Sequence, residues 1–404
     1  MASLRPFKAL RPTPEAVEAV ACPPYDVINT EEASELASGN PRSFLHVIRP
    51  EIDLPAGADE HSDEAYETGA ANLKTFAASD FFVEDDEPAL YIYRLIRGGD
   101  VQYGLYGLVS VADYDADVIL KHEKTRPDKE DDRTRHILTQ SAHAEPVMLA
   151  YHDEPTIDAL VAEAAAGEPL YDYVAESVQH TIWRVTDTEP YETAFAGIAN
   201  LYVADGHHRC KAASRAAAKL PENEEAHHFM AVLFPAGQMK ILPYNRVIYR
   251  YPEAKHGKAT SNETFLAALQ NHFRLQETDT QTPDASDHVC VYIEGTWYEL
   301  QLPPSAFDDP ARQLAVSRLN EHVLAPLLDI EDPRRDPKIG FVGGIRGTAE
   351  LERLVDSGKA VMAFSMYPTQ MDELLAVSDA GLLMPPKSTW FEPKLRSGML
   401  VHRF

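Results

Sequence analysis

The run Ala204-Asp205-Gly206-His207-His208-Arg209 constrains this chain most, because an apolar segment before it and a helix-forming segment after it must meet through a single glycine. Asn200-Leu201-Tyr202-Val203 reads as a short strand. Cys210 to Leu220 is rich in strong helix formers and stops at Pro221. A strand running straight into a helix implies mixed α and β layers. It also suits an anion: a helix start presents N–H groups and the positive end of the macrodipole, and glycine lets the backbone approach a ligand closely. His207, His208 and Arg209, with Lys211 one turn on, add donors for charge-assisted hydrogen bonds. The plainer alternative is an Asp205 cap, a Gly206 turn and histidines on a solvated face. Three consecutive donors exceed what a cap requires, so the anion-binding reading leads.

Composition bounds what such a site can serve. With 404 residues, 44% of them hydrophobic and 25% charged, the chain is expected to be globular, as one large or two intertwined domains. Its 37 basic and 64 acidic side chains leave a formal charge of −27. Such a surface repels a polyanion, which places nucleic acid last among partners. No apolar run is long enough to cross a bilayer and the start lacks a signal-peptide centre, so a cytoplasmic location without a membrane partner is expected. Cys22, Cys210 and Cys290 are odd in number and lack metal-ligand spacing. Homo-oligomerisation stays open.

Local patterns outline the elements. Asn29 and Glu32 form a capping pair before a short helix that Gly39 ends. Residues 90–97 and 101–111 read as a hairpin turned at Gly98-Gly99-Asp100. Strands are expected at 147–151, 180–185, 229–234, 240–242 and 247–249, with a helix from Ile157 to Ala166. A second hairpin turns at Glu294-Gly295. Arg312 to Leu328 reads as one amphipathic helix, 360–367 as a buried strand, and a helix capped at Thr369 runs to Gly381. The polar stretch 251–261 marks the expected boundary. The fold expected is mixed α/β (α+β), with a core over 1–252 and a C-terminal α+β region over 253–404 packed on it, or one continuous domain.

A second concentration of chemistry is Lys121-His122-Glu123-Lys124-Thr125-Arg126, followed by Arg133 and Arg135. Phosphoryl transfer to a hydroxyl needs an acceptor for the proton, cations for phosphate oxygens and exclusion of water. Glu123 is the candidate base. His122, Thr125 and Arg133 are candidates for holding phosphate or a substrate carboxylate, and a solvated, charge-laced helix is the equal alternative. Pro23-Pro24-Tyr25-Asp26-Val27 offers a phenol and a carboxylate, although paired prolines serve chiefly to fix backbone. Asn245 would orient substrate or satisfy a loop. Lys387, Ser388 and Thr389, with Lys394, Arg396 and Ser397, surround Trp390 and Phe391, a set suited to an anion or a stacked ring, or to a tail docked on the core.

Tyr202 to Arg209, Pro23 to Ile28, and Met384 to Gly398 resemble blocks of the domain of unknown function (DUF) 1015 family. The Asp-Gly-His-His-Arg core also resembles the signature of free-serine kinases in the ParB and sulfiredoxin superfamily. That resemblance implies a ParB/sulfiredoxin-like core, with phosphate held at Gly206, His207, His208 and Arg209. It implies a kinase forming O-phospho-L-serine from L-serine and a donor such as ATP, ADP or diphosphate. Asp205 and His207 then join Glu123 as catalytic residues, and Asp205 is the expected Mg²⁺ ligand, since that ion favours one or two carboxylates plus phosphate oxygens. Two other readings use the same pocket: a non-catalytic phosphate or nucleotide sensor, and a ParB-like nucleotide hydrolase.

Overall fold

Apolar runs and tight glycine turns build two separate sheets in this computed structural model, which describes residues 2–55, 57–253 and 257–404. The chain divides into two compact units. The first comprises Met1–Lys121, Thr125–Met239 and Pro393–Phe404, and the second His122–Lys124 and Lys240–Glu392. The changeover falls at 239/240, where the sequence pattern points to 252/253; of the polar stretch taken to mark that boundary, residues 254–256 lie outside the described residues.

In the first unit an eight-stranded mixed sheet runs in the order Ile119–Leu120, Leu201–Asp205, Val147–Tyr151, His228–Pro235, Asp100–Ser110, Leu90–Arg97, Val178–Val185 and Tyr171–Ala175. Gly98 and Gly99, at φ +57° and +95°, make the two-residue turn of its central hairpin, where only residues tolerant of positive φ fit. Val147–Tyr151 is buried throughout and pairs in parallel with His228–Pro235, which explains its unbroken apolar sequence. Leu201–Asp205 pairs antiparallel to Val147–Tyr151, and the register slips between Val203 and Asp205. A bulge there bends the strand just before the glycine. The helix His207–Lys219 then packs on the helix Pro127–Gln140, with Ala212 and Ala216 against Ile137, small side chains that let the two axes approach.

The second unit holds a six-stranded antiparallel sheet in the order Leu275–Glu277, Thr296–Gln301, His288–Ile293, Met362–Met366, Tyr244–Ile248 and Ile339–Gly343. Glu294 and Gly295, both at positive φ, turn its hairpin as the sequence suggests. Two expectations are corrected here. The helix read across Arg312 to Leu328 is broken into Pro310–Gln313, Ala315–Leu319, a π-turn over Asn320–Leu324 and Ala325–Leu328, because Leu314 is extended (φ −58°, ψ 142°) and Pro326 cannot donate to the ladder. The helix Met371–Asp379 is capped by Gln370 and Glu373, while the Thr369 hydroxyl donates to Ser388 O. Among the described residues, no helix is long and apolar enough to cross a membrane.

Candidate functional site

The chain enters the His207–Lys219 helix through Gly206, which is at φ +99° and serves as N-cap without a side-chain cap; the first turn carries no acidic residue. A Cβ at Gly206 would meet Val147 Cγ1 at 3.0 Å and Arg209 Nε at 3.1 Å, so glycine is required by conformation and by space. Asp205 precedes the N-cap residue. Its Oδ2 accepts from Arg209 Nη2 at 3.5 Å and from Lys394 Nζ at 3.4 Å. His207 is buried, and His208 Nε2 accepts the backbone N–H of Arg126 at 3.1 Å.

Arg209 is buried and anchored by Nη1 on Pro146 O. Burial opposes its charge, yet Asp26, Asp205 and Glu145 around it hold the guanidinium protonated above its ordinary range. Glu145 ties the surroundings together. Its Oε1 accepts from the Tyr25 backbone N–H at 3.1 Å and from Ser397 Oγ at 3.2 Å, and its Oε2 lies 3.5 Å from Arg133 Nη1. Burial raises the Glu145 carboxyl above the usual carboxylate range, with Arg209 and Arg133 pulling the other way. Arg133 also donates from Nε to Asp132 at 2.9 Å and lies over the Tyr25 ring at 3.9 Å. Arg133, His136, His143, Glu145 and Arg209 line a small cavity of about 30 Å³. That is room for roughly one or two waters; Arg209 Nε has no hydrogen-bond partner among the described residues.

The candidate residues fall into two groups. Asp205, Gly206, His207, His208, Arg209, Thr125 and Arg133 belong to the first unit. Thr125 stands at the start of the Pro127–Gln140 helix, its hydroxyl on Glu130 Oε1 at 2.6 Å. His122, Glu123, Asn245, Lys387, Ser388 and Thr389 belong to the second. There Thr389 Oγ1 and His122 Nε2 are 3.4 Å apart, Asn245 Oδ1 accepts the Met366 N–H at 3.0 Å, and Ser388 Oγ donates to Pro385 O at 2.7 Å. The basic C-terminal block is therefore divided: Lys387, Ser388 and Thr389 lie in one unit, Lys394, Arg396 and Ser397 in the other. Sequence reasoning missed Glu145, whose single signal was a carboxylate one proline ahead of an apolar strand, and gave Tyr25 and Asp26 mainly a backbone role.

A resident Mg²⁺ on Asp205 does not fit this geometry. Two cations already share Oδ2, and a divalent ion there would be repelled by both. Among the described residues no group of three or more histidine, cysteine or carboxylate side chains is arranged to hold a metal. Cys22, Cys210 and Cys290 are buried and unbonded, and burial pushes the Cys210 thiol up to about 12, against the pull of Arg209, so it is no thiolate nucleophile.

A mixed sheet whose bulged strand feeds a glycine-entered helix beside a buried arginine defines an α/β protein with a built, charge-lined helix start. The chain belongs to the family described as "Protein of unknown function (DUF1015)", whose model matches residues 4–321. Solved structures similar to it include a conserved hypothetical protein from Pyrococcus furiosus, at 12% identity and TM-score 0.37, covering 73% of this chain and 94% of that one. A free serine kinase in complex with AMP is similar at 12% identity and TM-score 0.38, over 71% and 86% of the two chains. SbnI with a C-terminal truncation, from Staphylococcus aureus, is similar at 12% and 0.34, over 74% and 87%. No curated protein matches the sequence.

Proposed function

We propose that this protein is a cytoplasmic phosphotransferase acting on a small hydroxylated metabolite, with free L-serine the acceptor and a nucleotide or diphosphate the donor. The observation that carries the reading is Asp205 holding Arg209 and Lys394 beside an acid-free helix start. At 3.4–3.5 Å these contacts are longer than a tight ion pair, and in this reading Lys394, which keeps some exposure, exchanges Asp205 for a phosphate oxygen when donor binds. Arg209 stays in place beneath the loop. The helix start and the two cations would then favour the charge of the transferring phosphoryl group. In the transfer, the serine Oγ–P bond forms as the bond to the donor's leaving oxygen breaks, and the hydroxyl proton passes to a carboxylate. Glu123 is the candidate for that carboxylate. The resemblance supports a ParB/sulfiredoxin-like assignment for the core. Mg²⁺ enters this proposal as companion of the donor's phosphates, with Asp205 positioning Lys394 and Arg209.

The assay is incubation of the full chain with Mg²⁺ and L-serine plus ATP, ADP or diphosphate, read by mass spectrometry. O-phosphoserine from one donor, lost in Glu123→Gln, supports the proposal. Free phosphate without serine would favour a nucleotide hydrolase instead, and binding of donor without any turnover would favour a sensor.

A further inference from the structure

Arg246 lies on the strand Tyr244–Ile248, which is hydrogen-bonded to Ile339–Gly343 on one side and to Met362–Met366 on the other. Side chains alternate across a strand. Val247 therefore joins the apolar cluster with Val342, Leu351 and Ala363, and Arg246 points to the opposite face with its cross-strand neighbours Phe341 and Phe364. Arg246 is 3% exposed, and the centre of its guanidinium is 5.4 Å from the Phe341 ring centroid. Its Nη1 donates to Tyr244 O on its own strand, and Nε and Nη2 donate to no described residue.

Among the described residues no counter-charge accompanies this group. Burial lowers Arg246 to about 9, with Tyr244 alone pulling it back and no carboxylate contributing. A second cation stands close to the same aromatic group: Lys387 Nζ is 5.3 Å from the Tyr244 ring centroid, and that ring meets Phe341 at 6.5 Å and Trp390 at 5.2 Å. A buried charge without a partner is strongly destabilising, and an oxyanion would remove the penalty. The Nε–Nη2 edge of a guanidinium matches the two oxygens of a carboxylate or phosphate.

We infer that Arg246 anchors an oxyanion site in the second unit, receiving carboxylate or phosphate oxygens on Nε and Nη2. The inference stands apart from the phosphotransferase reading, because it uses none of the residues at the His207 helix.

Calorimetric titration of the full chain with inorganic phosphate, L-serine and L-serinamide tests it, using the wild type, Arg246→Met, Arg246→Lys and Arg209→Met. Saturable binding of phosphate, or of L-serine but not its amide, is expected, and the two patterns separate a phosphate from a carboxylate ligand. Arg246→Met should raise Kd about tenfold or more, with Arg246→Lys intermediate, since a point charge replaces the fork. Arg209→Met should retain this binding. In anion-free buffer Arg246→Met should melt no lower than wild type, because a buried unpaired charge is gone. The inference is overturned by an absence of saturable binding to wild type, or by a Kd unchanged in Arg246→Met. Where that variant does not fold, a Kd unchanged in Arg246→Lys overturns it. Binding lost in Arg209→Met but kept in Arg246→Met would overturn it too, while favouring the helix site.

Discussion

Lys394 Nζ stands 3.4 Å from Asp205 Oδ2, joining the last segment of the first unit to the residue that precedes Gly206. The pair is partly exposed, with side chains 19% and 28% accessible, so solvent screens it. Its value in the proposed reaction lies in placing a partly exposed cation beside the residue that precedes Gly206.

Lys394→Met is therefore expected to separate binding from stability. The melting midpoint should move little, within about 1 kcal/mol of wild-type stability. Affinity for diphosphate, measured by calorimetry, should fall roughly tenfold, as for the loss of one charge-assisted contact. Equal losses in both measurements would mean that Lys394 serves packing alone.

Gly206→Ala should cost roughly 1–3 kcal/mol in urea unfolding, because φ +99° is strained for any side chain. The added methyl also meets Val147 and Arg209, so diphosphate binding should weaken together with stability. A variant as stable as wild type would show that this loop can adopt another conformation.

The strand, glycine and helix of this loop were legible because they are neighbours in sequence and their signals are local: an apolar run, a glycine, then helix formers. The residues around Arg209 were not, because Tyr25, Glu145 and Ser397 meet only through tertiary pairing and none has a periodic or spacing signature. Arg246 was hidden for a related reason. In sequence it is a cation between Asn245 and Val247, and only burial within the sheet reveals that no carboxylate among the described residues accompanies it. The break at Leu314 was missed because apolar periodicity continues across it and no glycine marks it.

Glu145 gives a contrast between two substitutions. Glu145→Gln keeps an acceptor at Oε1 for the Tyr25 N–H and the Ser397 hydroxyl, and should cost roughly 1 kcal/mol. Glu145→Ala strands both donors and weakens the hold on Arg133, so a loss of roughly 3 kcal/mol in chemical denaturation is expected. Similar losses for the two would remove Glu145 as the tie between these segments.

Acid should destabilise the first unit through its buried imidazoles. Burial lowers His402 to about 4, against the pull of Glu225 at 3.1 Å, and lowers His143, stacked on it at 5.9 Å, well below the ordinary value. Between the unfolded value near 6.5 and the folded value the unfolded chain binds more protons, so stability is full above about pH 6.5 and falls as pH drops toward 4. Phe7, His228, Arg5 and Phe404 also face His402, and among these only Arg5 is a fixed charge, one that further disfavours imidazolium. The slope of melting temperature against pH should flatten in His402→Gln. An unchanged slope would assign the acid sensitivity to other groups.

The formal charge of −27 implies self-repulsion that salt relieves. Melting temperature should rise between about 0.05 and 1 M potassium chloride, where screening shortens from more than 10 Å to about 3 Å. A fall with salt would mean that specific ion pairs outweigh the net repulsion.

The most direct measurement for the central claim is a crystal of the full chain soaked in diphosphate, with phosphorus located by difference density. The expected result is a phosphate group at the start of the His207–Lys219 helix, touched by backbone N–H groups of His207 to Arg209 and by Lys394 Nζ. Diphosphate bound elsewhere, or a vacant helix start with Lys394 still on Asp205, would contradict the account.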